Sequence, residues 1–148
     1  MKRIKRLLTL DANVFVAALK RDELYSDKCA EILGKIPRKF LLVEPSIVYQ
    51  EVCGVLARRA GLDVARKAKK LLDDMILPRL LFDCDKRFCE SAYYLCWEYM
   101  VYSIDALYLR VALDAGAVLV SLDKEDFIDR IKRKNPEIEV YHVSEFPY

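Results

Sequence analysis

Four acidic side chains stand out in this 148-residue sequence, because three of them sit where a buried apolar residue or a strand end belongs and the fourth faces inward from a helix start. They are Asp11, Glu51, Asp105 and Asp123. In the stretch "EPSIVYQEVCGVLARR", residues 44 to 59, an advance of about 100° per residue puts Ile47, Val48, Gly54 and Val55 within roughly 60° of Glu51. The acid therefore lies in the middle of an apolar helix face. A lone carboxylate held out of water costs several kcal/mol unless it is paired, protonated or bound to a cation. Asp105 follows the same pattern, lying on the wheel beside Tyr108, Leu109 and Ala112 and opposite Arg110 and Asp114. Asp11 directly follows the apolar run "LLTL", and Asp123 directly follows "AVLVSL".

Taken singly, each aspartate also fits a helix cap or first turn, where it accepts backbone N–H bonds and complements the helix dipole. Asp114 and Asp126 fit that role best. Taken together, four inward acids point to a cation. Two unit charges at 4 Å repel by about 4 kcal/mol at an effective dielectric of 20. A divalent ion relieves that repulsion, and a set of oxygen ligands with no nearby His or Cys suits Mg²⁺ or Mn²⁺ better than Zn²⁺.

The elements that must position these acids alternate along the chain. A strand at 7–10 leads into a helix through about residue 19. A second helix, 24–36, carries Leu24, Cys29, Ile32, Leu33 and Ile36 on one side, and "FLLV" forms the second strand. Pro45 and Ser46 open the Glu51 helix, with Ser46 as N-cap, and Gly61 stops it. Residues 62–77 repeat the helical period. "RLLFD" after Pro78 is a third strand, and 86–100 is an aromatic-rich helix. A helix at 103–116 has Ser103 as N-cap and Gly116 as stop, and is followed by the strand 117–122, a short basic helix and the strand "IEVYHV". Single strands separated by helices define an α/β sandwich around a mainly parallel sheet. In such sheets ligands sit at the carboxyl ends of the strands.

Composition narrows the class further. The chain fits a single domain, 1–148, with a hydrophobic fraction of 54% and only four Gly and five Pro. Its formal charge of +2 says little about partners, but basic residues bunch at Lys2/Arg3/Lys5/Arg6, Arg58/Arg59, Arg66/Lys67/Lys69/Lys70 and Arg130/Lys132/Arg133/Lys134. Such stripes either neutralise phosphates or are solvated helix faces. The basic start of the chain imitates a signal peptide, but Asp11 and Asn13 interrupt the apolar run, so a soluble cytoplasmic protein is expected, with no membrane span. Five cysteines without a C-x-x-C read as buried thiols. Two Asn and one Gln against 32% charged residues lean toward a thermophilic source, where an intracellular disulfide is possible. The single histidine, His142, excludes a two-histidine ribonuclease mechanism and reads as structural. No P-loop or dinucleotide glycine fingerprint occurs. Asn13 stands where a haloacid-dehalogenase-like phosphatase has its second acid. The apolar face of "FCESAYYLCWEYMVY" exceeds what one helix usually buries, which favours self-association as a homodimer unless the rings fill the core.

The segments "LTLDANVFVAAL", "PSIVYQEVCGVLARR", "SIDALYLRVAL" and "LVSLDKEDF" resemble, in order, the four acidic motifs of PIN-domain ribonucleases, and the resemblance spans residues 7 to about 143. In size the chain is similar to VapC-type toxins. The resemblance implies a PIN-like α/β/α sandwich and endonucleolytic cleavage of single-stranded RNA, with Asp11, Glu51, Asp105 and Asp123 as the catalytic, metal-holding acids. It implies supporting roles for Ser121 and for Asn13, the latter bracing a turn, and a small antitoxin partner. Arg58, two turns from Glu51, is a candidate RNA phosphate contact or an intramolecular ion-pair partner. A housekeeping RNA-processing nuclease, or a non-catalytic RNA- or protein-binding module with the acids as helix caps, stays open at this point.

Overall fold

The computed structural model describes residues 4–148, so Lys2 and Arg3 of the N-terminal basic cluster lie outside the described residues. Four parallel strands form the central sheet in the order β2-β1-β5-β6: β1 (Arg6–Leu10), β2 (Phe40–Leu42), β5 (Val118–Ser121) and β6 (Val140–His142). Leu8, Thr9 and Leu10 are all buried, as are all four residues of β5. Continuous burial of this kind marks parallel strands covered by helices on both faces. The chain leaves β1 toward β2 on one side and reaches β5 and β6 on the other, so the order reverses between β1 and β5, at the strand ends that carry Asp11 and Asp123.

The helices cover this sheet to give an α/β/α arrangement. Helix α1 (Ala12–Leu19) buries six of its eight residues, so it is enclosed nearly all round. Helix α6 (Ser103–Ala115) buries the run Ala106–Leu109 together with Val111 and Ala112. Three helical hairpins build the flanks: α1 with α2 (Ser26–Leu33), α3 (Ile47–Ala60) with α4 (Leu62–Met75), and α5 (Lys86–Tyr99) with α6. Helix α4 shows the amphipathic rule plainly, burying only Ala65, Ala68 and Leu72. A π-helical turn, Lys124–Ile128, and the short helix α7 (Asp129–Lys132) connect β5 to β6.

Several expected boundaries move, each for a local reason. "FLLV" gives the three-residue β2, and the two-residue β3 (Glu44–Pro45) that follows it pairs with β4 (Leu81–Phe82) in a separate two-stranded sheet. Pro45 has no N–H to extend the first ladder, and the Glu44 side chain is turned into the core. The third strand shrinks to Leu81–Phe82 because Pro78–Leu80 forms a 3₁₀ turn. Helix α2 begins at Ser26, not 24, since Tyr25 adopts φ 65° in the left-handed region, and Leu24 is exposed. Ser103 is the first helical residue of α6, with Tyr102 in the cap position. Ser46 does precede α3, but its hydroxyl accepts the Cys84 N–H at 3.0 Å instead of capping.

The aromatic helix does not fill the core with its rings. Tyr99 is buried, whereas Tyr93 and Trp97 are 72% and 80% exposed. The expected buried thiols hold only for Cys29; the other four cysteines are half-buried or exposed, and all five are free.

Candidate active site

The end of β1 and the end of β5 are stitched together by short polar side chains. The Asp11 N–H donates to the Val120 carbonyl at 3.0 Å, extending the ladder by one residue. The Ser121 hydroxyl donates to Asp11 Oδ2 at 2.7 Å and accepts the Asp123 N–H at 3.0 Å. Asn13 Nδ2 donates to the same Asp11 oxygen and to Ser121 Oγ, both at 3.2 Å, while its Oδ1 accepts the Leu122 N–H at 3.1 Å. Asn13 thus bridges the first turn of α1 to the chain leaving β5, and Ser121 uses every hydrogen-bonding position of its hydroxyl. The orientation of the Asp11 carboxylate is set before any ligand arrives.

Electrostatics tie the four acids into one group. Asp11 is buried, and its carboxyl is pushed up to about 7 first by desolvation, then by the charge of Asp105, with Glu51 adding to it and the Ser121 hydroxyl opposing. Asp105, half-buried on the first turn of α6, is pushed up to about 6 by burial and then by Asp123, Glu51 and Asp126. Burial also raises Glu51. The Tyr108 hydroxyl faces Glu51 and favours its ionised form, yet it meets no partner with full hydrogen-bond geometry. Glu51 itself stands differently from the expectation. The buried stripe of α3 is Val48, Val52 and Leu56, an i, i+4, i+8 line centred about 100° from Glu51, so the acid is half-buried at the margin of the core rather than in its middle. Packing against α1 and α4 selects that stripe.

Among the described residues no lysine, arginine or histidine forms an ion pair with Asp11, Glu51, Asp105 or Asp123. Burial without a counter-charge is what raises Asp11, Glu51 and Asp105, and a hard divalent cation matches the all-oxygen donor set. As placed, no three carboxylate, thiol or imidazole groups among the described residues stand close enough to ligate one ion together. The capping interpretation divides among the acids. Asp123 caps the π-turn by accepting the Asp126 N–H at 3.1 Å. Asp11 occupies the cap position of α1 without a side-chain cap bond. Asp105 accepts no hydrogen bond among the described residues.

Two polar residues here, Glu44 and Tyr108, were not singled out by sequence, and a third, Asp126, was read only as a cap or first-turn acid. Glu44 is fully buried, its Oε1 accepting the Leu10 N–H at 2.7 Å and its Oε2 unpartnered. Desolvation raises it well above the usual carboxylate range, and the charge of Asp11 adds to the shift. Its signal was available: like Asp11 and Asp123, it closes an apolar strand run. Tyr108 is fully buried with a free hydroxyl, and an aromatic amid apolar helix positions carries no such sign. Asp126 adds its charge to Asp105 while pairing with Arg130 at 2.7 Å. Arg58 is exposed at the end of α3 and forms no ion pair among the described residues. His142 stands opposite Ser121 in the β5–β6 register, its Nδ1 accepting the Ser144 N–H at 3.1 Å and its ring edge-on to Tyr25.

A doubly wound parallel sheet with acids gathered at its carboxyl edge defines a class, and the family profile agrees: the PIN domain matches residues 8–134. The chain belongs to the PIN domain family. Among curated proteins none matches the sequence significantly. Solved structures share the fold at low identity. VapBC2 from Rickettsia felis, bound to a DNA fragment from its promoter, matches with a TM-score of 0.63 and 15% identity over 92% of this chain and 98% of that one. VapC20 from Mycobacterium tuberculosis, a sarcin–ricin loop cleaving toxin, matches with a TM-score of 0.64 and 16% identity over 80% and 91%. A toxin–antitoxin complex from Klebsiella pneumoniae matches with a TM-score of 0.59 and 17% identity over 82% and 89%.

Proposed function

We propose that this chain is a divalent-metal-dependent endoribonuclease for single-stranded RNA and the toxin of a VapBC-type toxin–antitoxin module. One observation carries the nuclease reading: four acids from four separate segments share one electrostatic environment at the switch point of the sheet, without a cationic side chain paired to any of them. Asp11, Asp105 and Asp123 would hold Mg²⁺ or Mn²⁺, with Glu51 beside them. A bound divalent ion supplies Lewis-acid polarisation of the phosphate and lowers the pKa of water. The chain supplies the positioning. Ser121 and Asn13 hold Asp11 in one orientation, Asp123 keeps one oxygen free of its cap bond, and Glu51, supported by Tyr108, orients the attacking water and takes up its proton. In-line attack then leaves a 3′-hydroxyl and a 5′-phosphate.

The toxin assignment is supported by the fold shared with structures described as toxins and toxin–antitoxin complexes. A small antitoxin blocking the acidic edge, and pairing of two chains through the exposed Tyr93 and Trp97 face of α5, belong to the same reading. Among the described residues no helix is long and apolar enough to cross a membrane.

Digestion of a labelled RNA panel with Mg²⁺ or Mn²⁺, against a chelator control, tests the activity. Wild type cuts only with metal, and Asp105→Asn loses at least 100-fold in rate while folding normally. The cap bond of Asp123 favours one other interpretation, a binding module whose acids are structural; in that case no metal supports cleavage and Asp105→Asn destabilises the fold. Expression with and without the neighbouring reading frame separates a toxin from a housekeeping nuclease. A growth defect relieved by the neighbour is expected of the toxin.

A further inference from the structure

A cleft of about 370 Å³ is lined by Tyr99, Met100, Arg130, Arg133 and Lys134, and Arg130 connects it to Asp126. Its charge is of one kind on the floor. Arg133 and Lys134 are exposed and form no ion pair among the described residues, in contrast to Lys132, which reaches Glu145 at 3.4 Å. Arg130 spans the distance to the acids: its guanidinium pairs with Asp126, whose charge acts on Asp105, and it also donates to the Met100 carbonyl at 2.6 Å. The same guanidinium lies 5.8 Å from the centre of the Tyr102 ring.

Aromatic and apolar groups next to Arg130 are exposed. Tyr102 is 61% and Met100 63% exposed. Met100 adopts φ 57°, a conformation a non-glycine residue rarely takes, and this turns the chain from α5 into the connector that ends at Tyr102. Tyr102 is the cap residue of α6, three positions before Asp105, so the ring and the acid are about one helical turn apart. An exposed ring with a guanidinium over one face and two further unpaired cations in the adjoining cleft are the components with which proteins bind single strands: bases stack on the ring and the backbone runs along the cations.

Resting on the nuclease reading above, we propose that this cleft is the entry subsite for single-stranded RNA. One base stacks on Tyr102, flanking phosphates lie on Arg133 and Lys134, and Arg130 sits where the strand passes to the acids. These residues position substrate; they are not placed among the reacting groups. An acidic protein segment fits the cations but gives no use to an exposed ring one turn from Asp105, so a single-stranded nucleic acid is the occupant the surface favours.

The test measures binding apart from cleavage. Fluorescence anisotropy with a labelled 12-nucleotide single-stranded RNA of mixed sequence, in EDTA, compares wild type with Arg133→Glu/Lys134→Glu, Tyr102→Ala, Tyr102→Phe and a control of equal charge change on α4, Lys67→Glu/Lys70→Glu. Losing two phosphate contacts weakens binding at least tenfold and flattens the salt dependence by a slope of about 1.4. Tyr102→Ala weakens it about tenfold, and Tyr102→Phe restores it, since stacking needs the ring and not the hydroxyl. Unchanged melting temperatures exclude misfolding. Wild-type affinity in the charge-reversed pair, or equal loss in the α4 control, overturns the subsite while leaving metal-dependent cleavage intact. Retained RNA binding with no cleavage under any metal leaves the subsite standing and removes the nuclease reading. A labelled hexaglutamate peptide that binds more tightly than the RNA and is lost in the same pair assigns the cleft to a protein partner and overturns the proposal.

Discussion

Asp11 concentrates the energetics of the site in one side chain. Burial and the nearby Asp105 raise its folded pKa from 3.8 to about 7. The folded protein therefore retains a proton that the unfolded chain has lost, and stability falls as pH climbs from about 4 to 7. At roughly 1.36 kcal/mol per unit, removing the charge gains about 2 to 4 kcal/mol at pH 8 and less at pH 5. Urea denaturation of Asp11→Asn in EDTA at the two pH values measures this, and a loss of stability at pH 8 contradicts it. Metal linkage has the opposite sense. Mn²⁺ raises the wild-type melting temperature more at pH 8 than at pH 5.5, because the carboxylates must ionise to ligate, and the increment is strongly reduced in Asp11→Asn. Ser121→Ala removes the hydroxyl that favours ionised Asp11, so the acid limb of the pH–rate profile moves to higher pH and the rate falls about 10- to 100-fold. Asp11 was readable because it directly follows a strand, and Ser121 only through the motif resemblance. The web joining Asn13 to Leu122, 109 positions away, was not, since pairing partners across strands leave no local trace.

At the scale of elements, apolar periodicity located the helices well, while caps and short strands moved. Helix α4 illustrates what holds the flanks. Leu72 is 1% exposed, whereas Asp73, next to it, bridges the Tyr49 hydroxyl and Lys69 at the surface, each at 2.7 Å. Leu72→Ala is expected to cost about 2 to 5 kcal/mol by chemical denaturation. Asp73→Ala leaves the midpoint nearly unchanged, because solvent screens exposed pairs. Equal effects from the two substitutions contradict an apolar origin for the α3–α4 hairpin. The margin position of Glu51 belongs at this scale too. A helical wheel ranks faces by composition, but α1 and α4 choose which of two adjacent apolar stripes is covered.

For the whole molecule, the unburied aromatic face of α5 is the feature that a single chain does not account for. Tyr93 and Trp97 turn outward while Tyr99 turns in. If two chains pair there, as proposed, sedimentation velocity shows a dimer for wild type and a monomer for Trp97→Glu at micromolar concentration. A wild-type monomer removes that part of the reading. Which rings face out was not decidable from the sequence, since the aromatic run surrounds too much of the helix for periodicity to choose one side.

The sequence by itself determined the alternation of strands and helices, the parallel sheet and the four acids worth examining, because these depend on local periodicity and on residue types at element ends. Only the tertiary structure decided that β3 and β4 leave the main sheet, that Glu44 is buried against the Leu10 backbone, and that Arg130 both lines a cleft and pairs with Asp126. Those features arise from contacts between segments tens of residues apart, whose pairing energy is set by packing geometry and not by any single stretch of chain.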